Sequence, residues 1–238
     1  MNTLSIDIET YSAVPLKKCG VYRYCTDSSF EILLFGYSAD GGPVQVVDFT
    51  AGDQLPAEVL SALTDPAVTK WAFNAQFERV CLSRWLGMPV GEYLEPDSWR
   101  CTMVWSATLG LPLSLEGVGT VLGLEKQKLK EGKDLIRYFC TPCAPSKANG
   151  GRTRNLPQHD PAKWELFKEY NRQDVVTEME IERRLASYHV PGWVQKQWET
   201  DLIINARGVA VDMEMVPGAL CLGDTVRQSL ISEAMQIS

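Results

Sequence analysis

The alternation of apolar and polar residues is clearest near the start of the chain, in Leu4-Ser-Ile-Asp-Ile-Glu-Thr10. Side chains alternate between the two faces of a β-strand, so Ile6 and Ile8 are predicted to face the core while Asp7 and Glu9 share the other face. Carboxylates placed about 6 to 7 Å apart in this way repel each other unless a cation lies between them. Hard oxygen ligands favour Mg²⁺ or Mn²⁺. The alternative is an edge strand with a solvated face.

Other hydrophobic patterns predict an α/β chain. Further strands are expected at residues 30–39 and 43–49, joined by a hairpin turn at Asp40-Gly-Gly42, and at residues 68–73 and 98–101. Capping residues, apolar periodicity and terminating glycines predict helices at residues 15–24, 56–63, 74–87, 102–109, 114–122, 133–139 and 160–188.

Pro191 and Gly192 indicate a boundary between a first domain at residues 1–190 and a helical tail at residues 191–238. The chain of 238 residues, 45% hydrophobic, is long enough for one sizeable α/β domain with a small appendage. No apolar run approaches the roughly 20 residues of a membrane helix, and the N-terminus lacks a signal-peptide pattern. We therefore expect a cytoplasmic protein without a membrane partner.

The charge and the cysteines exclude some classes of function. A net charge of -7 argues against binding duplex nucleic acid through the whole surface, although it permits a local basic groove. The seven cysteines are scattered and odd in number, so we expect reduced thiols. Cys140 and Cys143 have the spacing of half a zinc site, but no second pair follows and the chain has only two histidines, which disfavours zinc.

Two later segments add to the acids of the first strand. Glu78 follows Asn74, the predicted start of a helix, and Asp174 comes four residues after Tyr170, on the same face of the long helix. Taken alone, Tyr170 and Asp174 could be a surface tyrosine beside an ordinary acid. Together with Asp7 and Glu9 they indicate a site built from several carboxylates.

The order and spacing of these segments resemble a known family. Ser5-Ile-Asp-Ile-Glu-Thr10 resembles the first motif of the DnaQ-like 3′-to-5′ exonucleases, and Asn74-Ala-Gln-Phe-Glu78 resembles the second. Tyr170-x-x-x-Asp174 resembles the third motif, in the tyrosine-bearing subclass. The resemblance covers residues 1–190 and implies an RNase H-like α/β fold, a mixed five-stranded sheet flanked by helices. It departs from the wider family at position 78, where aspartate is usual.

The tail extends the resemblance. Ile204-Asn-Ala-Arg-Gly-Val-Ala-Val-Asp212 is similar to the segment that joins the proofreading and polymerase regions in phage-type family A DNA polymerases. This implies a partner polymerase domain, in cis or in trans. A fragment, a split polymerase subunit and a free-standing nuclease all remain open as interpretations.

Hydrolysis of a phosphodiester needs an activated water, neutralised phosphoryl oxygens and a stabilised leaving alkoxide, all of which two Mg²⁺ or Mn²⁺ ions about 3.5 to 4 Å apart supply. Our hypothesis is that Asp7 bridges both ions. Glu9 and Asp174 would complete the site of the ion that carries the nucleophile. Glu78 would hold the second ion through water.

The remaining candidate residues are expected to handle the substrate. Tyr170 would orient the attacking water, and Thr10, Asn74 and Phe77 would help to position the 3′-terminal nucleotide of single-stranded DNA. The product would be a 5′-mononucleotide. An exoribonuclease and a catalytically silent domain that supports a polymerase are the alternative functions.

Overall fold

The computed structural model describes residues 1–124 and 132–237. Within these residues five strands form one mixed sheet, in the order β3-β2-β1-β4-β5. The first strand lies at the centre, antiparallel to the second and parallel to the fourth. The strands are β1 (Thr3–Tyr11), β2 (Glu31–Ala39), β3 (Gln45–Asp48), β4 (Thr69–Ala72) and β5 (Trp99–Cys101).

The helices follow the predicted order along the described chain, with bounds that differ from the predictions by a few residues at the ends. They are α1 (Leu16–Thr26), α2 (Ala57–Thr64), α3 (Ala75–Trp85), α4 (Thr102–Thr108), α5 (Leu115–Val121), α6 (Gly132–Phe139), α7 (Pro161–Leu185), α8 (Gly192–Arg207) and α9 (Met215–Ile237).

Local sequence signals explain the turn between β2 and β3 and the start of α7. In the turn between β2 and β3, Asp40 and Gly41 have positive φ angles of 49° and 70°, and Gly42 N–H donates to the Ala39 carbonyl at 2.9 Å. At the start of α7 the Asp160 carboxylate accepts a hydrogen bond from the backbone N–H of Lys163 at 3.1 Å. Both predictions, of a hairpin turn and of an aspartate N-cap, are confirmed.

The two faces of β1 are covered by different helices. Leu4, Ile6 and Ile8 are buried in an apolar cluster that includes Val80 and Leu82 of α3. Each such side chain contributes about 1.5 to 3 kcal/mol when it is fully buried. The opposite face of β1 packs against α7. Because side chains alternate along the strand, Asp7 and Glu9 point towards α7.

The pairing between β1 and β2 contains a β-bulge that the sequence analysis did not predict. Glu9 pairs with Leu34 and Thr10 pairs with Ile32, which leaves Leu33 as an extra residue on β2. As a result Leu33 and Leu34, although consecutive, both belong to the apolar cluster formed with α6 and α7. Ile32 belongs to the cluster on the other face.

The first compact unit of the chain runs from Met1 to Ala206 and therefore extends beyond the predicted boundary at residue 190. The reason is the packing of α8, in which Leu202 is completely buried and Trp198 packs against the cluster of α3. In the same helix, Gln195 Nε2 donates to the Trp99 carbonyl at 3.1 Å.

A second unit comprises Arg207–Ser238 and contains α9. This helix carries exposed apolar side chains, among them Leu220, Leu222 and Leu230, whose exposed fractions are 64%, 66% and 59%. Among the described residues, no helix combines the length and the apolar character needed to cross a membrane.

Candidate active site

Three acids from two elements come together on the face of the sheet that α7 covers. One carboxylate oxygen from each of Asp7, Glu9 and Asp174 lies within 4.8 Å of the others. Asp7 and Glu9 are next-but-one neighbours on β1, and Asp174 lies on α7. Glu9 and Asp174 are only 8% and 5% exposed, so these charges are largely withdrawn from water.

Such a cluster is electrostatically costly. Two unit charges 4 Å apart repel by about 4 kcal/mol at an effective dielectric constant of 20. Three carboxylates at this spacing need protons or a cation among them to reduce the repulsion. Their oxygens are hard donors of the type that Mg²⁺ and Mn²⁺ prefer, so the residues present fit a divalent metal ion.

Glu78 lies in the first turn of α3, where it is 4% exposed. Burial, and then the negative charge of Asp7, raise the pKa of this carboxyl well above its ordinary value. Its Oε2 atom is buried without a hydrogen-bond partner. Glu78 is not part of the 4.8 Å cluster found among the described residues. A buried, unsatisfied carboxylate oxygen near Asp7 is itself suited to a proton or a cation.

Tyr170 lies one helical turn before Asp174 on α7 and is 1% exposed. Its ring stacks on Phe167, with centroids 6.1 Å apart and an interplanar angle of 15°. Burial and then the charges of Asp174, Glu9 and Asp7 raise the pKa of its hydroxyl. Tyr170 therefore remains a neutral O–H donor beside the acid cluster.

Asn171 is a site residue that the sequence analysis missed. Its Nδ2 atom donates to Asp7 Oδ2 at 2.6 Å and to the Asp7 carbonyl at 3.1 Å. Gly36 of β2, which pairs with Asp7, makes room for this side chain, because a Cβ at position 36 would lie 2.6 Å from Asn171 Oδ1. A glycine inside a strand can mark such a close approach, and this was the signal available in the sequence.

Cys140 also contacts the cluster. Its Sγ atom donates to Glu9 Oε2 at 3.8 Å, and burial together with the charge of Glu9 raises the pKa of the thiol well above its ordinary value. Cys143, the other cysteine of the motif considered for zinc, donates instead to the Arg152 carbonyl at 3.4 Å. The first cysteine of the pair thus acts as a hydrogen-bond donor to a predicted metal ligand.

A cavity of about 460 Å³ adjoins the acids, within the usual size range of ligand pockets. Its lining includes Glu9, Thr10, Tyr24 and Phe77, and the Thr10 and Tyr24 hydroxyl oxygens are 2.9 Å apart. Two of the three residues predicted to position a nucleotide therefore line this cavity. Asn74, the third, is not part of the lining; it is exposed at the start of α3 and has a left-handed φ of 75°.

Glu178 is a further residue near the acids that the sequence analysis missed. It lies one turn beyond Asp174 on α7 and is 2% exposed. Burial and then the charge of Glu182 raise its pKa to about 8, with a smaller contribution from Asp7. The Thr102 and Ser5 hydroxyls partly oppose this rise. At neutral pH Glu178 is mostly protonated, so it adds little negative charge behind the cluster.

No protein-family model matches this chain. A DNA polymerase of Bacillus phage SP02 is 49% identical to it over 238 residues, which is 100% of this chain. The predicted resemblance to a phage DNA polymerase is confirmed. The chain spans 36% of the length of that polymerase.

Solved structures show the same fold at low sequence identity. RNase D of Trypanosoma brucei superposes with a TM-score of 0.54 at 18% identity, covering 89% of this chain and 68% of that one. Its complex with RNA U12 gives a TM-score of 0.53 at 18% identity, covering 89% and 66%. RNase D of Escherichia coli, an exoribonuclease involved in structured RNA processing, gives 0.50 at 13% identity, covering 88% and 46%. The predicted RNase H-like fold is confirmed.

Asn171→Ala removes the amide that holds Asp7, and we expect the affinity for Mn²⁺ to fall by about 10 to 100-fold, as it does when other outer-shell partners of metal ligands are lost. Isothermal calorimetry measures this change. Gln173→Ala is the matched control, because Gln173 is an amide on the same helix that bonds Thr177 instead. Equal Mn²⁺ affinity in wild type and Asn171→Ala would contradict the assigned role of the amide.

The free energy of unfolding is expected to depend on pH through Glu178. Its folded-state pKa of about 8 lies above the ordinary 4.5, so the folded chain binds more protons than the unfolded chain between these values. The contribution of protonated Glu178 to the free energy of unfolding is complete below pH 4.5 and is lost as the pH rises through 8. Relative to wild type, Glu178→Gln should gain up to about 1.4 kcal/mol per pH unit across this range.

Urea unfolding in EDTA at pH 4.5, 6 and 8 measures this gain. Glu165→Gln is the control, since Glu165 is an acid of the same helix whose side chain is 71% exposed. A stability difference between Glu178→Gln and wild type that stays constant with pH would show that Glu178 has an ordinary pKa.

Proposed function

We propose that this chain is a metal-dependent 3′-to-5′ exonuclease that hydrolyses DNA to 5′-mononucleotides and forms the proofreading part of a phage or prophage family A DNA polymerase. The observation that carries the proposal is the convergence of Asp7, Glu9 and Asp174 within 4.8 Å, beside the neutral hydroxyl of Tyr170. The similarity to a phage DNA polymerase supports DNA as the substrate.

In this proposal Asp7, Glu9 and Asp174 would hold the Mg²⁺ or Mn²⁺ ions, and Glu78 would contribute through a water molecule. When bound, these ions would activate the attacking water and neutralise charge on the phosphoryl oxygens and the leaving oxygen. Asn171 holds one oxygen of Asp7 in place, which limits the orientations that its carboxylate can take.

The other side chains act on the water and the substrate. In our proposal the Tyr170 hydroxyl orients the attacking water, because it stays protonated and lies beside the acids. The terminal nucleotide enters the cavity lined by Thr10 and Phe77, where the phenyl ring packs against the base. Asn74 would approach the substrate only from outside this cavity.

A polymerase region is the proposed protein partner, in cis or in trans. Two observations support it, namely the 36% share of the phage polymerase that the chain spans and the exposed apolar side chains of α9. Large exposed apolar surface of this kind is typical of a segment that another protein region covers.

A second candidate function is a 3′-to-5′ exoribonuclease. The fold shared with two RNase D proteins, one of them solved with RNA, favours this alternative. A carboxylate cluster that acts on phosphate does not inspect the 2′-hydroxyl, so the acids themselves do not decide between DNA and RNA.

The deciding experiment compares single-stranded DNA and RNA of the same sequence, each labelled at the 5′ end, with Mn²⁺ and then with EDTA. The proposal requires a ladder that shortens from the 3′ end of DNA, faster than for RNA, and that disappears with EDTA and in Asp7→Ala. Preferential RNA trimming would support the exoribonuclease. A third outcome is that neither substrate is cleaved and that wild type and Asp7→Ala bind Mn²⁺ equally. This outcome would support a catalytically silent domain.

Tyr170→Phe is expected to slow single-turnover DNA cleavage by about 10² to 10⁴-fold, the range for loss of a positioned proton-transfer group. Asp174→Ala should slow it more, because the loss of a metal ligand removes several kcal/mol of charge stabilisation. Glu165→Ala, which removes an exposed acid from the same helix, is the control. An unchanged rate for Tyr170→Phe would show that the tyrosine only packs.

Substitution of Glu78 tests whether its side chain contacts the metal ion through a water molecule. If a water molecule intervenes, Glu78→Asp should keep DNA cleavage within about tenfold of wild type, since the water can adapt to a shorter side chain. Glu78→Gln loses the charge, and its rate of DNA cleavage should fall by about 10²-fold or more. Cleavage rates at several Mn²⁺ concentrations measure both. A Glu78→Gln protein with wild-type rates and an unchanged Mn²⁺ requirement would remove Glu78 from the proposed site.

A further inference from the structure

Gly132, the first residue of α6, lies against the ring of Tyr170. A Cβ atom built on Gly132 would be 2.6 Å from Cδ2 and 2.9 Å from Cζ of that ring, and closer still to Cε2. Non-bonded carbon atoms prefer a separation of about 3.5 to 4.0 Å. The backbone of α6 therefore touches the tyrosine where even a methyl group has no room.

The ring has little freedom to move away. On its stacked side it meets Phe167, which in turn stacks on Phe139 with centroids 5.4 Å apart and an interplanar angle of 20°. Tyr170, Phe167 and Phe139 are 1%, 0% and 1% exposed. Interiors packed this closely transmit a displacement instead of absorbing it.

The backbone of Gly132 gives no other reason for a glycine. The residue is helical and is not among the described residues with positive φ angles. Alanine forms helices better than glycine does, so at this position local helix stability favours a side chain. The close approach to Tyr170 is the feature that requires the absence of one.

We propose that Gly132 is a positioning residue that fixes the tilt of the Tyr170 ring and thereby the place of its hydroxyl beside Asp174 and Glu9. The catalytic part of this inference rests on the proposed exonuclease function, whereas the contact between Gly132 and the ring does not. A misplacement of about 1 Å in a reacting group can cost about 10²-fold in rate. Any side chain at position 132 would therefore impair Tyr170 without touching a metal ligand.

The contact is tested first without catalysis, by fluorine NMR of protein labelled with 3-fluorotyrosine, the Tyr170 signal being assigned by its loss in Tyr170→Phe. Gly132→Ala should shift that signal. Gly119→Ala is the matched control, because Gly119 is a buried helical glycine whose added Cβ would meet its nearest atoms, on Leu124 and Thr177, at an ordinary 3.8 Å. A Tyr170 signal unmoved by Gly132→Ala would overturn the proposal.

Single-turnover cleavage of DNA tests the catalytic part. Gly132→Ala should slow cleavage by about 10²-fold and leave the Mn²⁺ affinity unchanged, while Gly119→Ala should match wild type. In the Tyr170→Phe background the same substitution should cost less than about threefold, since the hydroxyl that it misplaces is already gone. Equal losses in the two backgrounds would show that Gly132 acts on the fold in general and would overturn the positioning role.

Urea unfolding tests the contact in a second pair of backgrounds, wild type and Tyr170→Ala, and so does not depend on nuclease activity. Gly132→Ala should lower the unfolding midpoint of wild type but not that of Tyr170→Ala, in which the obstructing ring is absent. Equal shifts in the two backgrounds would overturn the proposal. A wild-type chain without nuclease activity would overturn the proposed function alone, because the NMR and unfolding measurements would still test the contact.

Discussion

The mutual repulsion of Asp7, Glu9 and Asp174 is the constraint that the surrounding structure must overcome. Apolar packing on both faces of β1 and the pairing of Asp7 and Glu9 with β2 fix two of these acids, and α7 brings the third over them. This helix is also attached by Trp164, whose Nε1 atom donates to Asp48 Oδ2 at 2.6 Å. Local repulsion of this kind persists only where its surroundings determine the geometry.

The groups that neighbour this acid cluster add little further negative charge to it. The Tyr170 hydroxyl and the Cys140 thiol remain protonated because burial and the acids raise their pKa values, and each is a donor. Glu178 and Glu78 also have raised pKa values. The cluster is thus surrounded by groups whose raised pKa values favour the protonated, uncharged form.

Local rules were enough to predict part of the site. Strand alternation placed Asp7 and Glu9 on one face, and helical spacing placed Tyr170 beside Asp174. The contribution of Asn171 could not be predicted in this way, because it depends on the gap left by Gly36 on a strand that is distant in sequence.

The domain boundary illustrates a different limit. Proline and glycine end regular structure whether or not a domain ends with it. Pro191 and Gly192 mark only the start of α8, and the burial of Leu202 keeps that helix within the first compact unit. Which residues a later helix covers is a matter of tertiary packing, and a single sequence shows it only weakly.

The bulge at Leu33 has a consequence for how the gene can vary. Because Leu33 is the extra residue of β2, deletion of its codon would give regular pairing and leave Ile32, Leu34 and Phe35 on the faces they now occupy. A deletion at any position of β2 outside the bulge would instead move the side chains on one side of it to the opposite face. We expect homologous chains to vary the length of β2 only at this bulge, so that other insertions and deletions accumulate in the turns at either end.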